Sequence, residues 1–158
     1  MFSQKKADEY KEIKDMLIRH EGLVPFPYKD SSNPPKITIG VGRCIESIGI
    51  SEDESMYLLH NDIERVLDEL DQSWNIWRTF RPEVQMVCID LVFNMGIVGW
   101  MRFVQTRFHM ENGDFLAASE ELLRSKYHIQ LPSRSAYNSR QLALCQQKAT
   151  TNKTKPNA

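Results

Sequence analysis

The stretch RHEGLVPFPYKDSSNPPKITIGVGR, residues 19–43, decides the fold that the sequence predicts. It starts at the end of a charged helical segment with Glu21, and then prolines, glycines and β-branched residues replace the helical spacing. Thr38 and its neighbours favour a strand, while the glycines and prolines favour tight turns. The stretch therefore predicts a small antiparallel sheet directly after a helix, with Glu21 at the junction and Asp30 on the sheet.

Capping signals place helices on both sides of this sheet. Residues 4–20 carry apolar side chains at helical spacing, and Gly22 suits the stop of this first helix. Ser51 and Glu54 form a capping-box pattern that opens a long helix over about 51–71. A helix of that length spans about 30 Å, enough to bridge two parts of a protein.

The second half of the chain predicts a helical bundle. Pro82 suits a first helical position, and the segment EVQMVCIDLVFNM after it is apolar almost all round, interrupted by Asp90 and Asn94. That pattern is typical of a central buried helix. Further helices are predicted at about 97–108, 114–124 and 134–145, and residues 146–158 are predicted to form a disordered polar tail.

These elements give an α+β fold with a small antiparallel β lobe and a larger α-helical lobe joined by a long helix. One domain is predicted over residues 1–145, in which the β lobe covers about 22–50 and the α lobe about 72–145 together with helix 4–20. A cleft is expected between the lobes.

Composition excludes several classes of protein. Apolar residues are 41% and charged residues 26% of the chain, ordinary globular values, and no apolar run is expected to cross a bilayer. The N-terminus lacks the apolar core of a secretory signal, which indicates synthesis in a cytosol. Three cysteines without C-x-x-C spacing indicate reduced thiols, and no metal site or cofactor is predicted.

Charge is unevenly distributed although the net charge is −1. Residues 1–80 hold 10 basic and 15 acidic side chains, and residues 81–158 hold 10 and 6, so the halves carry −5 and +4. Chance clustering on solvated faces is one interpretation, and an anionic polymer facing the second half is the other. Nucleic-acid binding is not predicted, because the basic residues form no stripe with interleaved aromatics.

Two carboxylates on neighbouring elements suggest a chemistry. Glycoside hydrolysis needs one carboxylic acid to protonate the leaving oxygen and one carboxylate to activate water or attack the sugar. Glu21 and Asp30 would line one cleft if they faced each other. Most such pairs are solvated surface charges, so spacing alone does not identify a site.

The order and spacing of the motifs around Glu21, Asp30 and Thr38 resemble those of a known family. RHEG, YKD and ITIGVGR are similar to the E-G, Y-x-D and T-I-G-x-G-H pattern of the T-even phage lysozyme family, glycoside hydrolase family 24. ISEDESMYLLHNDI, IDLVFNMG, GWMRF and LPSR extend the similarity over about residues 10–145. The resemblance implies a lysozyme-like fold and a muramidase that cleaves the β-1,4 bond between N-acetylmuramic acid and N-acetylglucosamine in peptidoglycan glycan chains.

The resemblance also assigns roles. Glu21 matches the general acid, Asp30 the carboxylate that assists water, and Thr38 a hydroxyl near that water. The family inverts at the anomeric carbon, so the two carboxyl groups should lie roughly 6.5 to 9.5 Å apart. Glycine at position 40 would let the sheet bend close to the substrate.

Other matched residues belong to the predicted α lobe. Arg134 matches an arginine that pairs with the catalytic glutamate, which implies that it orients Glu21; an ordinary ion pair between lobes is the alternative. Gln130 and Asn94 match cleft-lining positions, or they are polar bundle residues that cap backbone groups.

One departure concerns a structural ion pair. The family pattern ends in histidine, but this chain has Arg43, and the family histidine's aspartate partner aligns with Asp62. We predict an Arg43–Asp62 ion pair that stays charged near neutrality.

The resemblance implies a monomeric endolysin that acts on periplasmic peptidoglycan from the host cytoplasm. It would reach the wall after a holin, with which no direct contact is implied, has permeabilised the membrane. It would not itself insert in the membrane. A virion-associated or prophage lysozyme fits the sequence equally. Rival functions are a lytic transglycosylase, against which Asp30 and Thr38 argue, and an inactive wall-binding protein on a lysozyme fold.

Overall fold

The computed structural model describes the backbone of residues 4–153 and the side chains of residues 10–146. The chain divides into two compact units, residues 1–57 and 58–158. The elements in chain order are α1 (Gln4–Glu21), β1 (Val24–Lys29), β2 (Ile37–Gly40), β3 (Arg43–Cys44), α2 (Ile45–Ile48), α3 (Glu52–Trp74), a short 3-10 helix (Asn75–Thr79), α4 (Pro82–Met101), α5 (Val104–Glu111), α6 (Phe115–Leu123), α7 (Lys126–Gln130) and α8 (Pro132–Lys153). This arrangement confirms the predicted α+β fold with a small antiparallel sheet.

The first unit is built on the three-stranded sheet in the order β1-β2-β3. β2 pairs with β1 through Tyr28 and Thr38, and with β3 through Thr38 and Cys44. Side chains of directly opposed residues lie on the same face of a sheet, so Thr38 stands between Tyr28 and Cys44. The sheet thus fixes the position of Thr38 from both sides.

Local signals set the ends of the helices around the sheet. Gly22 has a φ of +77° and its N–H donates to the Ile18 carbonyl at 2.9 Å, which ends α1 at Glu21 as predicted. Ser51 and Glu54 form the predicted capping box: the Glu54 N–H donates to Ser51 Oγ at 3.2 Å, and the Ser51 N–H donates to Glu54 Oε2 at 2.7 Å.

The second unit contains the hydrophobic core. Among the described residues, every member of the buried apolar cluster falls between Val66 and Cys145. Helix α4 supplies six of its side chains, namely Val84, Val87, Cys88, Leu91, Val92 and Trp100. Helix α8 packs on α4, α6 and α7, which encloses this cluster on several sides.

Among the described residues, α4 is the one helix that could cross a membrane by length and composition, with a mean hydropathy of 1.6. The expectation that no apolar run is long enough is therefore corrected on those two criteria. Its buried side chains and the paired carboxylate of Asp90 are those of a core helix.

Several predicted helix boundaries are wrong. Gly96 kinks α4 with a φ of +71°, and the helix predicted at 97–108 is interrupted at Arg102 and Phe103. Phe103 has a non-helical backbone with φ −80° and ψ 57°, and its ring stacks on Trp100 with centroids 5.8 Å apart. The sequence also missed α7, which Ser125 caps by accepting from the His128 N–H at 3.3 Å.

The last helix also differs from its prediction. Pro132 was expected to separate helices, but it opens α8 at a position where its missing N–H costs nothing. Helix α8 runs to Lys153, which replaces the predicted disordered tail from residue 146 to 153. Residues 154–158 lie outside the described part of the chain.

Candidate active site

Glu21 stands at the last position of α1, in the same unit as the sheet. The side chain is exposed, and its carboxylate lies against the turn between β2 and β3. A Cβ added at Gly42 would sit 3.0 Å from Glu21 Oε2 and 3.3 Å from Cδ. Glycine at position 42 therefore makes room for this carboxylate.

Replacing Gly42 by alanine is expected to displace the Glu21 carboxylate. The new Cβ would crowd Oε2, and the φ of +66° at this position strains any residue with a Cβ, at about 1 kcal/mol. We expect lower activity together with a small loss of thermal stability. Alanine at Gly113, between α5 and α6, is the matched control, since its φ is +73° but no atom lies within 4 Å of an added Cβ. Equal activity losses in the two variants would show that backbone strain, not contact with Glu21, is responsible.

Asp30 follows β1 and opens the loop to β2. Its Oδ1 accepts from three donors: the Ser32 N–H at 3.0 Å, the Ser32 hydroxyl and the Lys36 N–H at 2.8 Å. Within the described residues, Oδ2 has no hydrogen-bond partner. The Lys36 N–H and then the Ser32 hydroxyl lower the pKa of Asp30 below its ordinary value. Asp30 is thus an ionised carboxylate with one oxygen held and the other available.

Thr38 lies in the middle of β2 and is buried, with 3% of its surface exposed. Its Oγ1 has no hydrogen-bond partner among the described residues. Buried hydroxyls nearly always have a partner, either protein or ordered water. The free hydroxyl of Thr38 is therefore suited to bind a water molecule or a ligand oxygen.

Arg134 belongs to the second unit, where α8 holds it against α4. Its Nε lies 3.0 and 3.1 Å from the two oxygens of Asp90, and its Nη2 donates to Asp90 Oδ1 at 2.6 Å. Asn138, which is fully buried, donates to Asp90 Oδ2 at 2.7 Å. Burial opposes ionisation of Asp90, but these hydrogen bonds outweigh it and hold its pKa below the ordinary value.

Nε and Nη2 of Arg134 are thus bonded to Asp90, while Nη1 has no partner among the described residues. Sequence reasoning identified Arg134 as a candidate site residue but did not identify Asp90 as its partner. The available signal was the position of Asp90, a charged residue inside an otherwise apolar helix. The interpretation that Arg134 orients Glu21 stays a prediction.

Gln130 and Asn94 are both exposed, Gln130 at the end of α7 and Asn94 on α4 just before the kink. Within the described part of the chain their side-chain amides make no hydrogen bond, so neither caps a backbone group there. Both amides are free to bind a ligand.

The predicted Arg43–Asp62 pair is corrected. Arg43 donates from Nη1 to Glu54 at 2.6 Å and from Nε to the Gly49 carbonyl at 2.8 Å, while Asp62 pairs with Arg65 at 3.0 Å. Glu54 stands in the first turn of α3, two helical turns before Asp62. Arg43 therefore connects β3 to Glu54, a residue of the capping box, by an ion pair.

A metal centre is not formed by the described residues, because no three His, Cys, Asp or Glu side chains there are placed to hold an ion. Cys44, Cys88 and Cys145 form no disulfide bond with one another. The carboxylates of Glu21 and Asp30 and the hydroxyl of Thr38 are groups that can take part in acid and base chemistry.

The fold and these residues define the class: an α+β protein that carries two carboxylates and a free buried hydroxyl around one small sheet, as glycosidases do. The comparisons identify the family. The model of the family described as phage lysozyme matches residues 18–140, which include Glu21, Asp30, Thr38 and Arg134. The chain belongs to the phage lysozyme family. A search of curated proteins found no match.

Family membership supports a lysozyme-type hydrolase, a lytic enzyme that acts on the peptidoglycan of the bacterial cell wall.

Proposed function

We propose that the protein is an N-acetylmuramidase that hydrolyses the β-1,4 bond between N-acetylmuramic acid and N-acetylglucosamine. The observation that carries this proposal is the state of Asp30, whose Oδ1 is held by three donors while Oδ2 is left open beside the sheet. Such a carboxylate is prepared to accept a proton from water. Glu21, at the end of α1 in the same unit, supplies the second carboxyl group.

The proposed reaction inverts the anomeric carbon in one displacement. Glu21 gives its proton to the glycosidic oxygen as the bond from that oxygen to the anomeric carbon breaks. Asp30 takes a proton from a water molecule whose oxygen forms the new bond, and the hydroxyl of Thr38 holds that water. Glu21 ends ionised and Asp30 protonated, and exchange with solvent restores both.

Residues of the second unit complete the proposal. In this proposal Arg134 orients Glu21, as the family resemblance implies. Its Nε and Nη2 are bonded to Asp90, which leaves Nη1 for that role. Gln130 and Asn94 offer amides to the sugar hydroxyl and acetamido groups. Gly40, the last residue of the central strand β2, has no atom within 4 Å of an added Cβ, which leaves room there for the glycan chain.

In its biological setting the proposed muramidase is a monomeric endolysin. It is made in the cytoplasm of an infected bacterium and reaches the periplasmic wall after a holin has permeabilised the membrane. It requires no cofactor in this scheme, because water is the only co-reactant.

The test is digestion of purified peptidoglycan followed by mass analysis of the released fragments. We expect muropeptides with a reducing N-acetylmuramic acid end and the mass of one added water per cut. Fragments that lack this water and carry a 1,6-anhydro end would instead establish a lytic transglycosylase. Binding to sacculi from several wall types without release of fragments would establish an attachment protein.

Stereochemistry is read separately. Proton NMR during digestion of a soluble glycan should show the α anomer of the new reducing end first, because the bond that is cut is β. Initial appearance of the β anomer would contradict inversion and leave hydrolysis intact.

A further inference from the structure

The loop between β1 and β2 contains a serine that the predicted catalytic set does not include. Ser32 lies two residues after Asp30 and contacts Asp30 Oδ1 twice, through its N–H at 3.0 Å and through its hydroxyl. Its Oγ also lies 2.9 Å from the Pro34 carbonyl oxygen. A hydroxyl has one hydrogen, and the ionised carboxylate is the stronger of the two acceptors.

Lys36, at the other end of the loop, also bonds to Asp30 Oδ1. The Lys36 N–H donates to Asp30 Oδ1 at 2.8 Å, and the Asp30 N–H donates to the Lys36 carbonyl at 2.9 Å. This reciprocal pair continues the ladder of β1 and β2 past Lys29 and Ile37. Asp30 is therefore fixed both in its backbone and at one carboxylate oxygen.

We infer that Ser32 is a positioning residue, which together with the Lys36 N–H holds Oδ1 so that Oδ2 of Asp30 faces the attacking water. The inference rests on the proposed function and deepens it. A carboxylate with two free oxygens rotates about its terminal bond, whereas three donors on one oxygen select a single orientation. Fixing the base in this way lowers the entropic cost of reaching the transition state.

Charged groups around the loop are few. Lys36 favours the ionised form of Asp30 by charge, and Lys29 precedes Asp30 on β1. Glu46 of α2 accepts from the Ile37 N–H at 3.3 Å and is the nearby group of like charge on the elements packed against the loop. The Ser32 hydroxyl contacts Asp30 and the Pro34 carbonyl oxygen, and it bonds to none of these three side chains.

The experiment compares the full-length wild type with Ser32→Ala and Ser32→Thr. In the alanine variant we expect kcat to fall about 10-fold or more, with KM within about twofold, because the base is misaligned while the sugar contacts remain. The acid limb of the kcat profile should move to higher pH, because a carboxylate that loses a donor is protonated more easily. Threonine keeps the hydroxyl and should restore both properties.

Ser55→Ala is the matched control, since the Ser55 hydroxyl donates to the Ser51 carbonyl in the same unit and does not touch Asp30. The inference is overturned if Ser32→Ala retains kcat within twofold and the same acid limb, or if Asp30→Asn is fully active. In the first case, a wild type that releases muropeptides leaves the proposed function standing. In the second case, the cleavage reaction stands, but Asp30 loses its proposed role as the base. A wild type that releases none removes the proposed function and this inference with it.

Discussion

Replacement of Glu21 by glutamine is expected to reduce the release of muropeptides by about 10²- to 10⁴-fold, the range that a general acid contributes. Glutamine keeps the shape of the side chain and its contact with Gly42, but its amide cannot give a proton to the leaving sugar oxygen. KM should change little, because the amide fills the same space. The measurement is the initial rate of fragment release from purified peptidoglycan, with soluble glycan for kcat and KM.

The control for Glu21→Gln is Glu12→Gln, which removes a carboxylate from the same helix, α1, at an exposed position away from the sheet. Both variants should unfold at about the wild-type temperature, because Glu21 is exposed and surface substitutions change stability little. Wild-type activity of both variants would exclude Glu21 as the acid. An inactive Glu12→Gln variant would point instead to the charge of α1 as a whole.

Leu91→Ala is expected to lower the free energy of unfolding by about 2 to 5 kcal/mol. Leu91 has 0% of its surface exposed and belongs to the cluster on α4. The loss combines the transfer free energy of the removed carbons with the cavity that they leave. Urea denaturation followed by tryptophan fluorescence would measure it, since Trp74, Trp77 and Trp100 all lie in the same core.

Val98→Ala is its control on the same helix, with 67% of the Val98 surface exposed and an expected change of about 0.5 kcal/mol or less. If both substitutions cost the same small amount, α4 is not a core helix in solution. Membrane insertion would then have to be tested, because its length and hydropathy satisfy the requirement for a span.

The sequence predicted best what a few neighbouring residues determine. The capping box of Ser51 and Glu54, the stop at Gly22 and the start at Pro82 each depend on backbone groups within one helical turn. The alternating turn signals of residues 23–44 likewise gave the antiparallel sheet. Because these signals involve only neighbouring residues, they can be predicted without knowledge of the rest of the fold.

The predictions that the structure contradicts concern features that depend on contacts between different elements. The predicted helix at 97–108 is divided at Phe103, whose backbone is not helical and whose ring stacks on Trp100, and helical spacing does not report such packing. Arg43 pairs with Glu54 and not with Asp62, because the partner depends on how closely β3 approaches the first turn of α3.

The candidate site shows the same division. The order of motifs gave Glu21, Asp30 and Thr38, but not the groups that hold them. Gly42 carries no sequence signal for contact with Glu21, and only the structure shows the Glu21 carboxylate against it. Ser32 has a local signal that was overlooked, since an aspartate followed by two serines favours side-chain bonds to the nearby backbone. Asp90 is 44 residues from Arg134, a separation that a single sequence does not bridge.

The location of the core has a consequence for local opening of the chain. The buried apolar cluster of the described residues begins at Val66, so the elements that carry Glu21 and Asp30 are held by ladder hydrogen bonds, turns and the capping box. Segments with few buried apolar contacts open at low free energy and exchange their amide hydrogens first. The strands around Asp30 therefore belong to the more readily opened part of the molecule, and α4 to the slowest. Under the proposed function, this sheet would adjust to a bound glycan chain while the buried cluster of the second unit stays folded.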